Sequence, residues 1–312
     1  STKDLYLEKS HFWLRFFSTL SVVCVFGLVV LGGVVRVTGS GLGCPDWPLC
    51  YGSIVPPLEY TAIIEYSHRF VASVLVSPLV VLTCGLIWVR HRGERWLVIP
   101  SSASVVLLVF QALLGGVTVL TELPGAVVAG HLALGQAFLG CLVLVMVVSY
   151  RGPLGFYGMS NARHRFSVMT ILASGGVYLL IISGSVVTAS HATGACITWP
   201  LCNSTLTPDT VLSAIHMGHR LVAVLIGCFL IFVLQWGYRD SHRTNGFRIL
   251  LGISGASFVI QILVGAFVVW SGFQSHLLAF HLGMSALVWV CILIVSMLSL
   301  TKSEDIKRTV IL

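Results

Sequence analysis

Eight long apolar runs, broken only by short polar segments, dominate the chain. They extend from Phe16 to Val37, Glu65 to Val89, Leu97 to Leu120, Ala126 to Tyr150, Phe166 to Ala189, Val211 to Tyr238, Ile249 to Ser271 and His276 to Leu300. A helix needs about 20 residues to cross the hydrocarbon of a bilayer, and each run is long enough. None alternates with period two, so each reads as a helix and not as a barrel strand. Charged residues make up only 9% of the 312 positions, against about 25% in a soluble domain, and the mean hydropathy is +0.96. Such a chain could not cover a water-facing surface. That excludes a soluble enzyme, a disordered regulator and an ordinary nucleic-acid-binding domain. The first run is too long for a cleaved leader and lacks a small-residue cleavage site, so it reads as a retained span. The expected fold class is an all-α membrane protein of eight transmembrane helices.

The net charge of +7 reports orientation rather than an acidic partner, because basic residues mark cytoplasmic loops. Lys3, Lys9 and Arg15 precede the first span; Arg90, Arg92 and Arg95 follow the second; Arg151, Arg163 and Arg165 follow the fourth. Arg239, Arg243 and Arg248 follow the sixth, and Lys302, Lys307 and Arg308 the eighth. All of these share one side if both termini are cytoplasmic, the N-in/C-in topology. Arg36, Arg69 and Arg220 are left at the outer ends of spans.

The two halves repeat. Cys44 and Trp47-Pro48-Leu49-Cys50 recur 152 positions later as Cys196 and Trp199-Pro200-Leu201-Cys202. His68-Arg69 recurs 151 later as His219-Arg220, while Gln111, Gly115 and His131-Leu132 recur 150 later as Gln261, Gly265 and His281-Leu282. Each half has four spans starting on the same side, so the repeats are parallel and related by an axis along the membrane normal. The expected architecture is two tandem, pseudo-twofold-related four-helix bundles. One comprises residues 1–155 and the other 156–312, with the basic segment from Arg151 to Arg165 between them.

Each half places one histidine near the outer end of its second span and one near the outer start of its fourth, pairing His68 with His131 and His219 with His281. A lone membrane histidine can simply bond a neighbouring helix. Yet a charge at mid-membrane costs about 2.5–3.5 kcal/mol on insertion scales, and four imidazoles at matched positions of a repeat point to ligands. Facing histidines inside a four-helix bundle hold cofactors. With no cysteine or carboxylate cluster at that depth, bis-histidine haem fits best. His11, His91, His164 and His242 lie in basic cytoplasmic segments and read as solvated. His191 reads as an uninvolved loop residue, and His276, which has no counterpart at Ala126, as interfacial. Arg36, Arg69 and Arg220 are candidates to meet haem propionates bidentately, against the alternative of snorkelling to headgroups.

The halves differ at one chemically telling place. Glu65 lies three residues before His68, on the same helical face, and its counterpart before His219 is His216. A carboxylate there can act as a base or stabilise positive charge; its alternative is an interfacial pair with a nearby arginine. Arg36 and Asp46 are likewise replaced, by Thr188 and Thr198. The first half therefore reads as a reaction site and the second as a carrier site. Cys24, Cys84, Cys141, Cys228 and Cys291 read as small buried hydrophobes. Cys44 with Cys50, and Cys196 with Cys202, lie in the long outer loops, where disulfides persist, and each pair is expected to be bonded. These loops, the first carrying Pro56-Pro57, read as lids.

Together these residues resemble the haem A synthase family. The likeness rests on Glu65-Tyr66-Ser67-His68-Arg69, His131, His219-Arg220, His281, the loop cysteines and the stretch Val35 to Pro48, and it covers nearly the whole chain. The resemblance implies oxidation of the C8 methyl of haem O to a formyl, making haem A for terminal oxidases, with water as the oxygen source. It implies haem O between His68 and His131, haem b as cofactor between His219 and His281, and Glu65 as the catalytic acidic residue. Its implied partners are a haem O-producing membrane enzyme, an electron acceptor and the bilayer, with no nucleic acid and with homo-oligomerisation left open. The implied location is a prokaryotic cell (inner) membrane. Two rival classes remain. A di-haem b electron-transfer cytochrome of the quinol-oxidising type explains the four histidines but not Glu65 opposite His216. A transporter with parallel repeats explains the duplication but not the histidine pairs.

Overall fold

The computed structural model describes residues 2–156, 159–240 and 243–301, with side chains from residue 11 onward. His242, Lys302, Lys307 and Arg308 lie outside the described residues, as do the side chains of Lys3 and Lys9. Among the described residues eight helices are long and apolar enough to cross a membrane, and the protein is all-helical and multi-pass. They are α1 (Thr2–Val37), α2 (Tyr60–Arg90), α3 (Arg95–Leu120), α4 (Gly125–Arg151), α5 (Asn161–Ala189), α6 (Val211–Arg239), α7 (Asn245–Trp270) and α8 (Ser275–Ser299).

Two helices, α5 and α7, start four or five residues before their apolar runs because their first turns are polar and capped. The Ser160 side chain accepts the Arg163 N–H, so α5 starts at Asn161 and not at Phe166. Thr210 and Ser213 bond reciprocally at the start of α6, and Thr244 accepts the Phe247 N–H at the start of α7. Such caps satisfy donors that have no partner within the helix. α2 starts at Tyr60, a turn before the apolar run, which brings Glu65 well inside the helix.

One helix is irregular. Residues Val71–Val76 of α2 wind as a π-helix. Pro78 accounts for it: proline has no N–H to give to the carbonyl four residues back, and its ring crowds that carbonyl. The widened turn redirects bonding, so that the Ser77 N–H and hydroxyl both donate to the Ala72 carbonyl, the hydroxyl at 2.8 Å. The equivalent of Pro78 in α6 is Phe229, and α6 is unbroken.

Packing follows chain order. α1 and α3 each touch α2 and α4, and α5 and α7 each touch α6 and α8. Contacts of α4 with α5 and α8, and of α1 with α8, join the two sets. Apolar residues from α1, α2 and α4 to α8 form one continuous core. Arginine side chains tie the helix ends to main-chain carbonyls of neighbouring helices. Arg15 Nε donates to the Ser149 carbonyl at 3.1 Å between α1 and α4, and Arg163 Nε to the Ser299 carbonyl at 3.4 Å between α5 and α8.

Helix–helix attraction in lipid comes from close packing at small residues. At the α6–α7 seam a Cβ on Gly227 would lie 2.7 Å from Cε1 of Phe258, a ring that is 1% exposed. Overpacking of this kind costs about 1–3 kcal/mol. Gly227→Val should therefore lower the melting temperature of the detergent-solubilised protein, read by loss of the monodisperse peak after heating. An unchanged melting temperature would show that Phe258 can turn aside.

Candidate functional site

Each of the four paired histidines faces a glycine on the preceding helix. A Cβ on Gly32 of α1 would lie 3.1 Å from Cε1 of His68 on α2, and one on Gly115 of α3 3.4 Å from Cε1 of His131 on α4. The second half repeats this, with Gly184 at 3.2 Å from His219 and Gly265 at 3.0 Å from His281. At Gly32, Gly184 and Gly265 a Cβ would press on the ring, and at Gly115 it would just reach contact. Gly115 and Gly265 stand out in the sequence repeat, whereas Gly32 and Gly184 are found only by carrying the 152-residue offset back into the first span.

The four histidines are half-buried and incompletely bonded. Nδ1 of His68, His131 and His281 has no hydrogen-bond partner. His219 Nδ1 meets the Ser183 hydroxyl at 2.8 Å. Gln261 Nε2 approaches His281 Nε2 at 3.3 Å, a contact in which the amide donates to a ring nitrogen holding its lone pair,. Its counterpart Gln111 donates to the His131 backbone carbonyl at 3.0 Å. His68 lies within electrostatic range of His131, and His281 within range of His219. A buried polar atom without a partner is costly, and imidazoles with free nitrogens beside glycine-made space suit a ligand such as a haem iron. Among the described residues no cluster of three or more His, Cys, Asp or Glu competes for a metal.

Above each pair lies a loop closed by a disulfide, Cys44–Cys50 and Cys196–Cys202, both with Cα atoms 4.7 Å apart. In each loop the second cysteine exchanges two backbone hydrogen bonds with the residue three further on, Cys50 with Ser53 and Cys202 with Thr205. Both loops carry a cis Trp–Pro bond. Trp47 packs on α3, where a Cβ on Gly116 would meet its ring at 3.0 Å.

The arginines next to His68 and His219 face these loops. Arg69 donates from Nη1 to the carbonyls of Asp46 and Leu49, both at 2.7 Å, and from Nη2 to the Cys44 carbonyl at 2.9 Å and to Glu65 Oε1. Arg220 donates to the carbonyls of Thr198, Pro200, Leu201 and Cys196 at 2.8–3.4 Å. Both guanidinium groups hold loops, so neither presents an unengaged fork to a propionate. Arg36 differs. One of its Nη atoms donates to the Thr188 carbonyl at 3.0 Å, while its Nε is buried and unpartnered.

Glu65 is 4% exposed. Its Oε2 accepts the Cys44 N–H at 2.8 Å, and its Oε1 pairs with Arg69. His216 occupies the equivalent position, 8% exposed, with Nε2 3.5 Å from Arg220 and Nδ1 unpartnered. Two sequence expectations need correction. His91 is buried, not solvated, because its Nδ1 meets Glu94 at 2.7 Å and its ring packs on His11. Cys228 is exposed, because it lies on the outer face of α6; of the other span cysteines, Cys291 is buried and Cys24, Cys84 and Cys141 are half-buried. His164 and His191 are exposed, and exposed His276 borders an apolar groove with Phe26 and Phe280.

The fold and site define a class: a multi-pass membrane protein with two matched imidazole pairs beneath two disulfide-closed loops. The chain belongs to the COX15-CtaA family, described as cytochrome oxidase assembly protein, whose profile matches residues 15–293. It is 30% identical over 262 residues to the heme A synthase of Alkalihalophilus pseudofirmus, covering 83% of this chain and 86% of that one. It is 28% identical over 280 residues to that of an Exiguobacterium species (87% and 88% covered), and 30% over 272 residues to that of Bacillus licheniformis (83% and 86%).

Asp46 stiffens the first loop, accepting the N–H groups of Tyr51 and Gly52, both at 2.7 Å. The Gly52 N–H above all holds its carboxyl below the ordinary aspartate range. A depressed folded-state pKa gives stability that is complete above the unfolded value of about 4 and is lost as pH falls through the folded one. At pH 7, Asp46→Asn should therefore hasten reduction of Cys44–Cys50 several-fold while leaving Cys196–Cys202 unchanged, as followed by mass spectrometry of alkylated peptides. A Cys44–Cys50 reduction rate unchanged from wild type would separate Asp46 from loop order.

Proposed function

We propose that the protein is a haem A synthase that oxidises the C8 methyl of haem O to a formyl, with water supplying the oxygen. The observation that carries this reading is that two equivalent histidine pairs lie under equivalent loops, but only one has a buried carboxylate a helical turn away, Glu65. Family membership and relatives bearing the heme A synthase name support it. In this reading residues 1–155 form a four-helix bundle that takes haem O between His68 and His131. Residues 156–312 form a second bundle that holds haem b between His219 and His281. Both termini are cytoplasmic, both lids face outward, and the setting is the inner membrane of a bacterium.

The chain's own groups then have distinct tasks. His68 and His131 bind and orient the substrate through the rings that Gly32 and Gly115 make room for. Arg36 Nε, buried and without a partner, is the donor best placed for a substrate carboxylate. The lid, anchored by Arg69, keeps bulk water away. Turning a methyl into a formyl removes electrons and protons in pairs and adds one oxygen. Glu65 is the group able to take a proton from water or to steady positive charge, since each carboxylate oxygen keeps a lone pair beyond the bonds to Cys44 and Arg69. Haem b, when bound, supplies a centre that accepts electrons. A di-haem electron carrier would need no such carboxylate.

Extracted pigment separates the two. A synthase supplied with haem O yields haem A, and a carrier yields only haem b. Glu65→Gln should retain haem O but lose conversion by about 10²–10⁴-fold, the usual contribution of a general base, and Glu65→Asp should recover part of it. Haem A at the wild-type rate from Glu65→Gln would reduce Glu65 to a lid contact. Alanine at His219 or His281 should deplete haem b in absorption spectra, whereas alanine at His68 or His131 should stop conversion with less loss of haem b. Equal haem b loss from both pairs would overturn the division of labour.

A further inference from the structure

The two lids are held in the same way but not for the same purpose. In both, one arginine gathers loop carbonyls, and in both the first cysteine of the disulfide gives its carbonyl to that arginine. In the first lid the same cysteine also gives its N–H to the side chain one turn before the arginine, Cys44 N–H to Glu65 Oε2 at 2.8 Å. Cys44 is thus held three times: by N–H to Glu65, by carbonyl to Arg69 and by Sγ to Cys50. Arg69 and Glu65 close the ring through their own ion pair, with side chains 14% and 5% exposed.

A second, independent feature makes this ring possible. At Gly43 a Cβ would run into the carbonyl of Thr61 and lie 2.7 Å from the Ala62 nitrogen. Only glycine lets the loop backbone lie this close to the first turn of α2, which is what brings the Cys44 N–H within reach of Glu65. The position 152 residues later is Ala195, and Glu65 is replaced there by His216.

We propose that Arg69 is a positioning residue for Glu65, and that Gly43 is the backbone position that allows it. Arg69 is fixed by three lid carbonyls and passes that fixed geometry to Oε1, while the lid N–H fixes Oε2. Closing the lid and aiming the reactive carboxylate are therefore one event in the first half and have no equivalent in the second. This rests on the synthase reading for its consequence, but the Arg69–Glu65–lid coupling stands or falls separately. Such a coupling pre-organises a reacting group, and misplacing one by about 1 Å can cost about a hundredfold in rate.

The test uses the full-length protein in membranes with a haem O supply. The infrared carboxylate band of Glu65, identified by its loss in Glu65→Gln, should move in Arg69→Gln and in Gly43→Ala and stay in place in Arg220→Gln. Conversion should fall about a hundredfold in Arg69→Gln with haem O still bound. Arg69→Lys, which keeps a cation beside Oε1 but cannot gather three carbonyls, should restore roughly tenfold of that loss. Ala195→Gly should convert haem O at the wild-type rate. If Arg69→Gln does not accumulate as a haem b-containing protein, Gly43→Ala carries the same two readouts. The proposal is overturned if the band ignores Arg69→Gln and Gly43→Ala, or if Arg69→Lys is no better than Arg69→Gln. A wild type that makes no haem A would sink the synthase reading while the infrared arm still decides the coupling.

Discussion

Hydrocarbon offers no hydrogen bonds, so each polar group placed in a membrane helix must find a partner or cost several kcal/mol. The protein meets that demand almost everywhere. Serine and threonine hydroxyls return to carbonyls of the preceding turn, and Ser149 and Ser299 knit α4 to α1 and α8 to α5. The paired imidazoles are among the exceptions, with Arg36, Gln136 and His216. The four paired histidines are half-buried, three of them keep a buried Nδ1 without a partner, and a glycine faces each ring from the neighbouring helix. Side chains left short of partners at matched positions of a repeat are what a ligand site requires.

Duplication makes the two sites comparable residue by residue, and their differences gather at the lid side of the first half. Glu65 against His216 and Gly43 against Ala195 lie where the loop meets α2, and Asp46 against Thr198 lies within the loop. The loop itself is preserved: Thr198 accepts the Ser204 N–H at 2.9 Å where Asp46 takes Gly52 and Tyr51. Arg36 and its counterpart Thr188 touch each other, the guanidinium on the threonine carbonyl. A contact between repeat-equivalent positions places them where the halves meet, so a cation contributed by one half lies at the junction of both.

The helices are legible in the sequence because a span must be apolar along its length, and the histidines because they interrupt that apolarity at matched positions. Helix ends are less legible, since capped first turns are as polar as loops; α5 begins five residues before its apolar run. The role of Arg69 and Arg220 is not legible. Their partners are main-chain carbonyls, which leave no pattern of side chains to read, and both residues suggest propionate ligands instead. His91 misleads for a related reason: its burial depends on Glu94 three residues on and on His11 from another helix, and a basic neighbourhood hides both. The glycines facing the rings are half visible, two as repeat markers and two only once ring contacts are known.

The π turn in α2 ties these observations together. Three turns of α-helix take up 10.8 residues, so in an unbroken helix positions eleven apart share a face. That holds in α6, where His216 and Gly227 both look toward the α7 side, Gly227 onto Phe258 and His216 onto Phe273 just beyond α7. In α2 the corresponding pair is Glu65 and Val76, and residues Val71–Val76 between them are π-helical. One extra residue in a π turn rotates the helix before it by about 100° relative to the helix after it. Val76 is fully buried in the helix core and Glu65 meets the lid, on opposite sides of that turn. Pro78 stabilises that break by making the regular turn unavailable, and Phe229 leaves α6 free to run straight. The divergence of the two halves is therefore written into the backbone of α2 as well as into its side chains, since the π turn that follows Glu65 has no counterpart in α6.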